Sequence, residues 1–247
     1  MINYKLKIII TSLLIFALIL SILLVGRERK VAIMVGTEYE TPIFYLDNGR
    51  DLEVLIIAGI HGNELAGILA AERIIDEALD WANFIIIPRA NVEAVKLGVR
   101  YPYYMQDLNR AFPGKGTGRD TEVLAYEIFE FIETLDPDLI LDLQEWERRS
   151  DEDGTHYCHG LIVGSNGLDI WKAVEGIVRE YSSKFGSSGV KLIIEAGVLD
   201  GSLNKEVWRG LGIPVITIES NMKLGMEDRV DFQLFIIEQL LGELSSR

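Results

Sequence analysis

One segment of the sequence, from Glu53 to Gly67, restricts the fold more than any other. It begins with the uninterrupted apolar run Val54–Ala58, which is typical of a strand buried on both faces of a sheet. From Glu64 onward, apolar residues recur at the spacing of an amphipathic helix. The polar residues in between, including His61, are therefore predicted at the carboxyl end of a buried strand, where open α/β sheets bind ligands.

His61 and Glu64 are three residues apart at the start of the predicted helix, so an imidazole nitrogen and a carboxylate oxygen can point to one position. Such a pair forms a short chelate for a divalent metal, and a catalytic zinc site needs a third protein ligand and a water. The alternative is a local role, because so short a motif often occurs without a metal. In that case Asn63 or Glu64 caps the helix and His61 packs against its neighbours.

The rest of the sequence alternates between strand and helix patterns. Strands are predicted at Val31–Met34, Thr41–Leu46, Val54–Ala58, Phe84–Ile87, Leu139–Leu143, Leu161–Gly164, Lys191–Ile194 and Pro214–Ile218, and helices at Glu64–Leu79, Thr121–Leu135, Asp169–Lys184 and Asp228–Leu241. Asn48-Gly49 is a hairpin signal before the strand at Glu53. This alternation predicts an α/β sheet with helices on both faces. No linker divides residues 31–247, so they are predicted to form one domain.

Residues 1–30 contain a separate apolar segment, Ile8–Val25, which has no charged residue. Its length of about eighteen residues is near the lower limit for a helix that spans a bilayer. No small-x-small cleavage site precedes Arg27. The sequence therefore predicts an uncleaved N-terminal membrane anchor, with a secretory signal as the alternative, and a domain at residues 31–247 on the extracytoplasmic side.

Composition excludes some classes of function. The chain has 247 residues and a net charge of −14, which argues against nucleic-acid binding because phosphate contacts need clustered lysine and arginine. The apolar fraction of 49% is sufficient for a large core. The single cysteine, Cys158, excludes an internal disulfide.

Two later segments carry further polar side chains. Asn109 and Arg110 precede a Pro-Gly turn, and Arg100 lies shortly before them, so three donors can bind a carboxylate or an oxyanion. The alternative is that Asn109 only shapes the turn and both arginines are solvated. Glu219 follows the buried run Val215–Ile218, at the same sheet edge as His61 if the strands are parallel, where it can act as a general acid and base. The alternative for Glu219 is a solvated strand end.

Together these segments resemble the zinc carboxypeptidase superfamily, and within it the branch of succinylglutamate desuccinylase and aspartoacylase. The matching motifs, in the family's order, are His61-Gly62-Asn63-Glu64, Arg100, Asp107-Leu108-Asn109-Arg110-Ala111-Phe112-Pro113-Gly114, Gly212-Ile213-Pro214 and Thr217-Ile218-Glu219. The resemblance implies a three-layer domain with a mixed, mostly parallel sheet of about eight strands, and one zinc ion. It matches His61 and Glu64 to metal ligands and Glu219 to the general base. It matches Arg100, Asn109 and Arg110 to the groups that bind the substrate carboxylate and polarise the scissile carbonyl.

The sequence departs from the family at the third metal ligand. The family has a histidine there, and the matching stretch Ile140–Glu145 has Gln144 instead. An amide oxygen is a poorer zinc donor than imidazole, so weaker or altered metal binding is expected. His156 or His159 could substitute as the ligand, although a lone histidine at a strand edge is expected to be structural, and Glu145 could ligate if Gln144 points away. The sequence departs from the family in two other ways. It has no room for the family's small β domain, which predicts a wider cleft. It also has no tyrosine shortly before Glu219.

The sequence therefore predicts a membrane-anchored, zinc-dependent amidohydrolase. Its substrate is expected to be an acyl amino acid or peptide with a free carboxylate, cleaved by metal-activated water with Glu219 as general base. The alternative is a non-catalytic carboxylate-binding or peptide-binding domain on the same fold, in which Gln144 impairs metal binding. Retention of His61, Glu64 and Glu219 together favours the enzyme, because a binding module has no need of all three.

Overall fold

In the computed structural model, which describes residues 28–148, 156–186, 189–195 and 199–245, the apolar runs of the sequence form one eight-stranded sheet. The strands are β1 Glu28–Ile33, β2 Thr41–Leu46, β3 Glu53–Ala58, β4 Asn83–Ile87, β5 Leu139–Trp146, β6 Cys158–Gly164, β7 Lys191–Glu195 and β8 Val215–Asn221. Their order across the sheet is β1-β2-β4-β3-β5-β8-β6-β7. The four strands β4, β3, β5 and β8 are parallel, and β1/β2, β2/β4 and β8/β6 are antiparallel pairs. The predicted mixed sheet of about eight strands is confirmed.

Helices cover both faces of this sheet. In the described residues they are α1 Leu65–Asp76, α2 Val92–Leu97, α3 Asp120–Leu135, α4 Leu168–Phe185, α5 Leu203–Leu211 and α6 Met226–Ser245. Alternate residues of β3 enter two separate cores, with Ile56 packed on the side of α1, α4 and α6, and Ile57 on the side of α3 and α5. Burial on both faces explains why β3 has no polar residue after Glu53.

The turn after β3 brings His61 close to the segment that begins at α2. Gly62 makes this approach possible, because a Cβ atom there would lie 1.9 Å from the carbonyl carbon of Ala94. The Gly62 amide also donates to the carbonyl oxygen of Arg100 at 3.4 Å. Only glycine can occupy this position without moving α2 away from the turn.

The predicted hairpin at Asn48-Gly49 is wrong. β2 pairs with β1 and β4, and β3 pairs with β4 and β5, so the two strands that flank the turn are not partners. The Asn48 side chain donates to the carbonyl oxygens of Leu79 and Ala82, at 3.0 and 2.8 Å. These bonds tie the turn to the segment that precedes β4.

The predicted transmembrane helix is also corrected. No helix in the described part of the chain is both long enough and apolar enough to cross a bilayer. The two longest described helices, α4 and α6, have 18 and 20 residues, but charged residues recur along both. The segment that suggested an anchor, Ile8–Val25, lies outside the described residues. The predicted membrane partner and the predicted extracytoplasmic, membrane-bound location both depended on that anchor. Both predictions are therefore corrected as well.

Candidate active site

A cavity of about 570 Å³ lies where β5 and β8 end and α1 begins. Its lining includes most of the residues that the sequence singled out, namely Glu64, Arg100, Asn109, Arg110, Gln144 and Glu219. His61 joins this group through a direct bond to Glu64. Gln144 and Glu219 are paired residues of the parallel strands β5 and β8, so their side chains lie beside each other on one face. The structure thus brings together residues that are widely separated in the sequence.

His61 is buried, and carboxylates occupy both of its ring nitrogens. Nδ1 lies 2.7 Å from Oε1 of Glu64, and Nε2 lies 2.9 Å from Oδ1 of Asp107. Burial by itself would lower the pKa of His61, but the hydrogen bonds to Asp107 and Glu64 outweigh it and raise the pKa to about 9. Without a bound cation, the imidazole is therefore protonated at neutral pH and donates from both nitrogens.

Asp107 is a site residue for which sequence reasoning proposed no role. Its carboxylate accepts from the Asn109 amide at 3.0 Å, which caps the short 3₁₀ turn Leu108–Arg110. Burial would raise the pKa of Asp107, but the bonds to His61 and the charges of His61 and Arg100 hold it well below its usual range. Its position beside Asn109 in the Asp107–Gly114 motif was the signal that could have identified it.

Arg100 and Arg110 have different partners. The Arg100 guanidinium donates to Asp107 at 3.1 and 3.3 Å and to Glu64 Oε1 at 3.4 Å, so two site carboxylates already engage it. Arg110 donates to the carbonyl oxygen of Asn109 and forms no ion pair with any described carboxylate. Of these two arginines, Arg110 is the one whose charge is available to a ligand in the cavity.

Glu219 is a buried carboxylate with an unusual environment. Its exposed fraction is 8%, and its Oε2 atom has no hydrogen-bond partner among the described residues. Burial first, and then the charges of Glu64 and Asp142, raise its pKa well above the usual value for a glutamate. Glu219 therefore carries either a buried negative charge that no hydrogen bond to Oε2 compensates or the proton that neutralises this charge.

Of the other candidates for a third metal ligand, only Glu145 lines the cavity, and its carboxylate is already engaged by other residues. The Glu145 carboxylate accepts from Ala66 N at 3.0 Å, Ser220 Oγ at 3.0 Å and Arg229 Nη1 at 2.8 Å, on the side of α6. His159 stacks on Phe232 with ring centroids 3.6 Å apart. His156 is not among the residues that line the cavity. Accordingly, no group of three or more His, Cys, Asp or Glu side chains in the described residues is arranged to hold a metal.

The charge of His61 predicts how stability depends on pH. A histidine whose pKa rises from 6.5 to about 9 on folding stabilises the protein fully below pH 6.5, and that contribution is lost as the pH rises through about 9. The free energy of unfolding of the cation-free protein, measured with urea, should therefore fall between these two pH values. Asp107→Asn should reduce the slope, and an unchanged slope in that variant would contradict the assignment to His61.

Comparisons with known proteins identify relatives of this chain. The profile of the succinylglutamate desuccinylase/aspartoacylase catalytic domain matches residues 50–147. A succinylglutamate desuccinylase of Pseudomonas paraeruginosa is 30% identical over 190 residues, which cover 72% of this chain and 53% of that protein. One of Pseudomonas aeruginosa is 42% identical over 87 residues, 32% of this chain and 25% of that protein. The chain spans about half the length of the first of these relatives.

Solved structures share the fold. An aspartoacylase family protein of Mesorhizobium loti superposes with a TM-score of 0.59 and 26% identity, covering 85% of this chain and 67% of that one. A metallo-carboxypeptidase of Burkholderia cenocepacia superposes with a TM-score of 0.65 and 15% identity, covering 89% and 65%, and this match concerns the fold alone. The profile match over residues 50–147, the sequence identity and this fold confirm the resemblance to the succinylglutamate desuccinylase and aspartoacylase family that the motifs indicated.

Proposed function

We propose that this protein is a metal-dependent hydrolase that cleaves an amide bond in an acyl amino acid or peptide bearing a free carboxylate. The observation that carries the proposal is that Glu64, which is bonded to His61, lines the same cavity as Glu219, whose buried Oε2 has no hydrogen-bond partner among the described residues. A strand-end glutamate without a partner is costly for stability, and a general base in a hydrolase explains its presence.

The side chains of the cavity suit one divalent cation, for which zinc is our first candidate. His61 Nδ1 and Glu64 Oε1 are 2.7 Å apart, so a cation can take the place of the proton they share. Gln144 offers a neutral amide oxygen from the same cavity wall. Oε2 of Glu219 is buried without a hydrogen-bond partner among the described residues, and a cation in the cavity would favour the ionised form of this carboxyl group. When bound, the cation supplies Lewis-acid polarisation of the scissile carbonyl and lowers the pKa of water.

The remaining chemistry falls to side chains of this chain. Glu219 accepts a proton from the attacking water, whose oxygen adds to the carbonyl carbon, and returns that proton to the nitrogen as the C–N bond breaks. A raised pKa suits this role, since the carboxyl must hold the proton between the two steps. Arg110 and Asn109 bind the substrate carboxylate from the cavity wall. Arg100 acts through Glu64 and Asp107, which it holds in place around His61.

The test is hydrolysis of a panel of N-acyl amino acids and short peptides by the full-length protein, supplied separately with zinc, cobalt and manganese. We expect release of the free amine with at least one cation. Arg110→Gln should raise KM about 10-fold or more with little change in kcat, because it removes binding that is equal in the ground and transition states. Arg209→Gln is a matched control, since Arg209 stacks on Trp208 and does not line the cavity. Failure to hydrolyse any substrate with any cation would contradict the proposal.

A non-catalytic, carboxylate-binding role is the second candidate, and Gln144 favours it because an amide replaces the strongest expected third ligand. This role predicts that acyl amino acids bind without a cation and that Arg110→Gln abolishes the binding. Hydrolysis that depends on an added cation would exclude it.

A further inference from the structure

We propose that Asp142 is a positioning residue that turns the amide oxygen of Gln144, and not its NH₂ group, toward the cavity. The site then has a neutral oxygen as its third donor and favours oxygen-preferring divalent cations, such as Mn²⁺, more than a histidine at this position would. The inference rests on the proposed function, because it requires a cation bound by His61 and Glu64.

The orientation of the Gln144 amide is set by the carboxylate below it. Nε2 of Gln144 donates to both oxygens of Asp142, at 3.0 and 2.9 Å, and both residues are buried. A carboxylate only accepts hydrogen bonds, so the reverse orientation would place Oε1 of Gln144 against two acceptor oxygens. As long as Asp142 is ionised, the buried contact admits one orientation of the amide.

A second hydrogen-bond donor, which comes from β8, also contacts the Asp142 carboxylate. The Thr217 hydroxyl donates to Oδ2 of Asp142 at 3.0 Å. Asn204, on α5, donates to the oxygen of that hydroxyl at 3.0 Å, so the hydroxyl proton is directed to Asp142. The Asp142 carboxylate thus accepts from β5 and from β8, and each bond holds it in place for the other.

The hydrogen bond at the oxygen of the Gln144 amide supports the same orientation. Oε1 of Gln144 accepts from Asn109 Nδ2 at a long 3.4 Å. Asn109 is itself oriented, because its Oδ1 accepts from the Leu203 amide at 2.9 Å and its NH₂ group must then face Gln144. An amide oxygen has two lone pairs, and this one long bond leaves Oε1 able to bind a cation.

The chemical consequence concerns which cation the site prefers. Imidazole nitrogen suits zinc, whereas carbonyl and carboxylate oxygens suit manganese, magnesium and calcium. With Gln144, the donors of this chain are one imidazole, one carboxylate and one amide oxygen. The preference for Zn²⁺ over Mn²⁺ should therefore be smaller than in a variant with histidine at this position.

The experiment measures the dissociation constants of Zn²⁺ and Mn²⁺ for the full-length protein, by chelator competition for Zn²⁺ and by the electron paramagnetic resonance signal of free Mn²⁺. Gln144→His should raise the Zn²⁺/Mn²⁺ affinity ratio about 10-fold or more. Asp142→Asn should weaken Mn²⁺ binding about 10-fold or more, because an amide at 142 lets Gln144 turn its NH₂ group toward the cation.

A double variant separates this effect from the loss of charge at 142. Asp142→Asn removes a carboxylate in either background, so the affinity loss should be several-fold larger in the native background than in the Gln144→His background. Equal losses would overturn the positioning role of Asp142, and an unchanged Zn²⁺/Mn²⁺ ratio in Gln144→His would overturn the role of Gln144 as a donor. Far-ultraviolet circular dichroism of each variant checks that it is folded.

The same data distinguish this inference from the proposed function. The expected cation selectivity without any hydrolysis would support the inference and overturn only the hydrolase proposal. Binding of neither cation by the native protein would overturn both.

Discussion

Glu219→Gln is expected to lower kcat for acyl amino acid hydrolysis about 10³-fold, within the range that a general acid–base group contributes. The variant keeps the size and shape of the side chain but can neither accept the water proton nor return it to the leaving nitrogen. Because the change affects a proton transfer, KM and the affinity for the cation should change little. Steady-state kinetics and cation titration of the same preparations measure both effects.

Stability should change in the opposite direction to activity. Burial and the charges of Glu64 and Asp142 raise the pKa of Glu219 in the folded protein, so ionisation of this group destabilises the cation-free fold above the ordinary glutamate pKa of 4.5. Glu219→Gln removes that cost, and its free energy of unfolding should exceed that of the native protein increasingly as the pH rises above 4.5. Glu147→Gln is the matched control, since Glu147 lines the same cavity but pairs with Lys223 at 2.8 Å. A Glu219→Gln variant with native kcat would exclude Glu219 as the base.

His61→Ala is expected to weaken cation binding by more than about 100-fold, beyond the effect of losing a residue that only supports a ligand. It removes the imidazole nitrogen that lies 2.7 Å from Glu64 and leaves Glu64 and Gln144 as oxygen donors. Hydrolysis at a fixed, limiting cation concentration should fall in proportion. Isothermal titration calorimetry with Zn²⁺ measures the affinity directly.

His159→Gln provides the comparison for His61→Ala. The His159 imidazole stacks on Phe232, and its Nδ1 accepts from the Asn221 amide at 3.2 Å, within an aromatic cluster and not at the cavity. Its replacement should cost stability and leave cation affinity unchanged. If the two variants lost cation affinity equally, the ion would not be held by the His61–Glu64 pair.

Much of the fold could be predicted from patterns within short segments of the sequence. Uninterrupted apolar runs predicted β3 and β4 because strands covered on both faces exclude polar side chains, and β8 is equally buried although it includes Thr217. The helices α1, α3, α4 and α6 followed from helical periodicity. The helix α2 was missed because six residues are too few for a clear period, and the nine-residue α5 was missed although its apolar residues recur on one face. They begin at the side-chain caps Asn91 and Ser202 and are held by packing.

The position of the candidate residues at one sheet edge was also predictable, since each follows or ends a parallel strand or begins the next helix. The sequence could not show which of the two arginines has no carboxylate partner among the described residues. Arg100 and Arg110 have the same chemistry, and only the tertiary structure commits Arg100 to Asp107 and Glu64. The sequence likewise could not show that Glu145 bonds to Arg229 of α6.

The sequence by itself therefore determined most of the secondary structure, the sheet edge and the chemical types of the site residues, because periodicity and strand ends are local properties. Only the tertiary structure decided the partners, such as Asp107 for His61 across 46 positions and Asp142 for Thr217 across 75. Those partners set the charge of His61, the burial of Glu219 and the direction of the Gln144 amide. Hydrogen bonds and Coulomb interactions depend on distances of a few ångströms, and chain separation does not encode those distances.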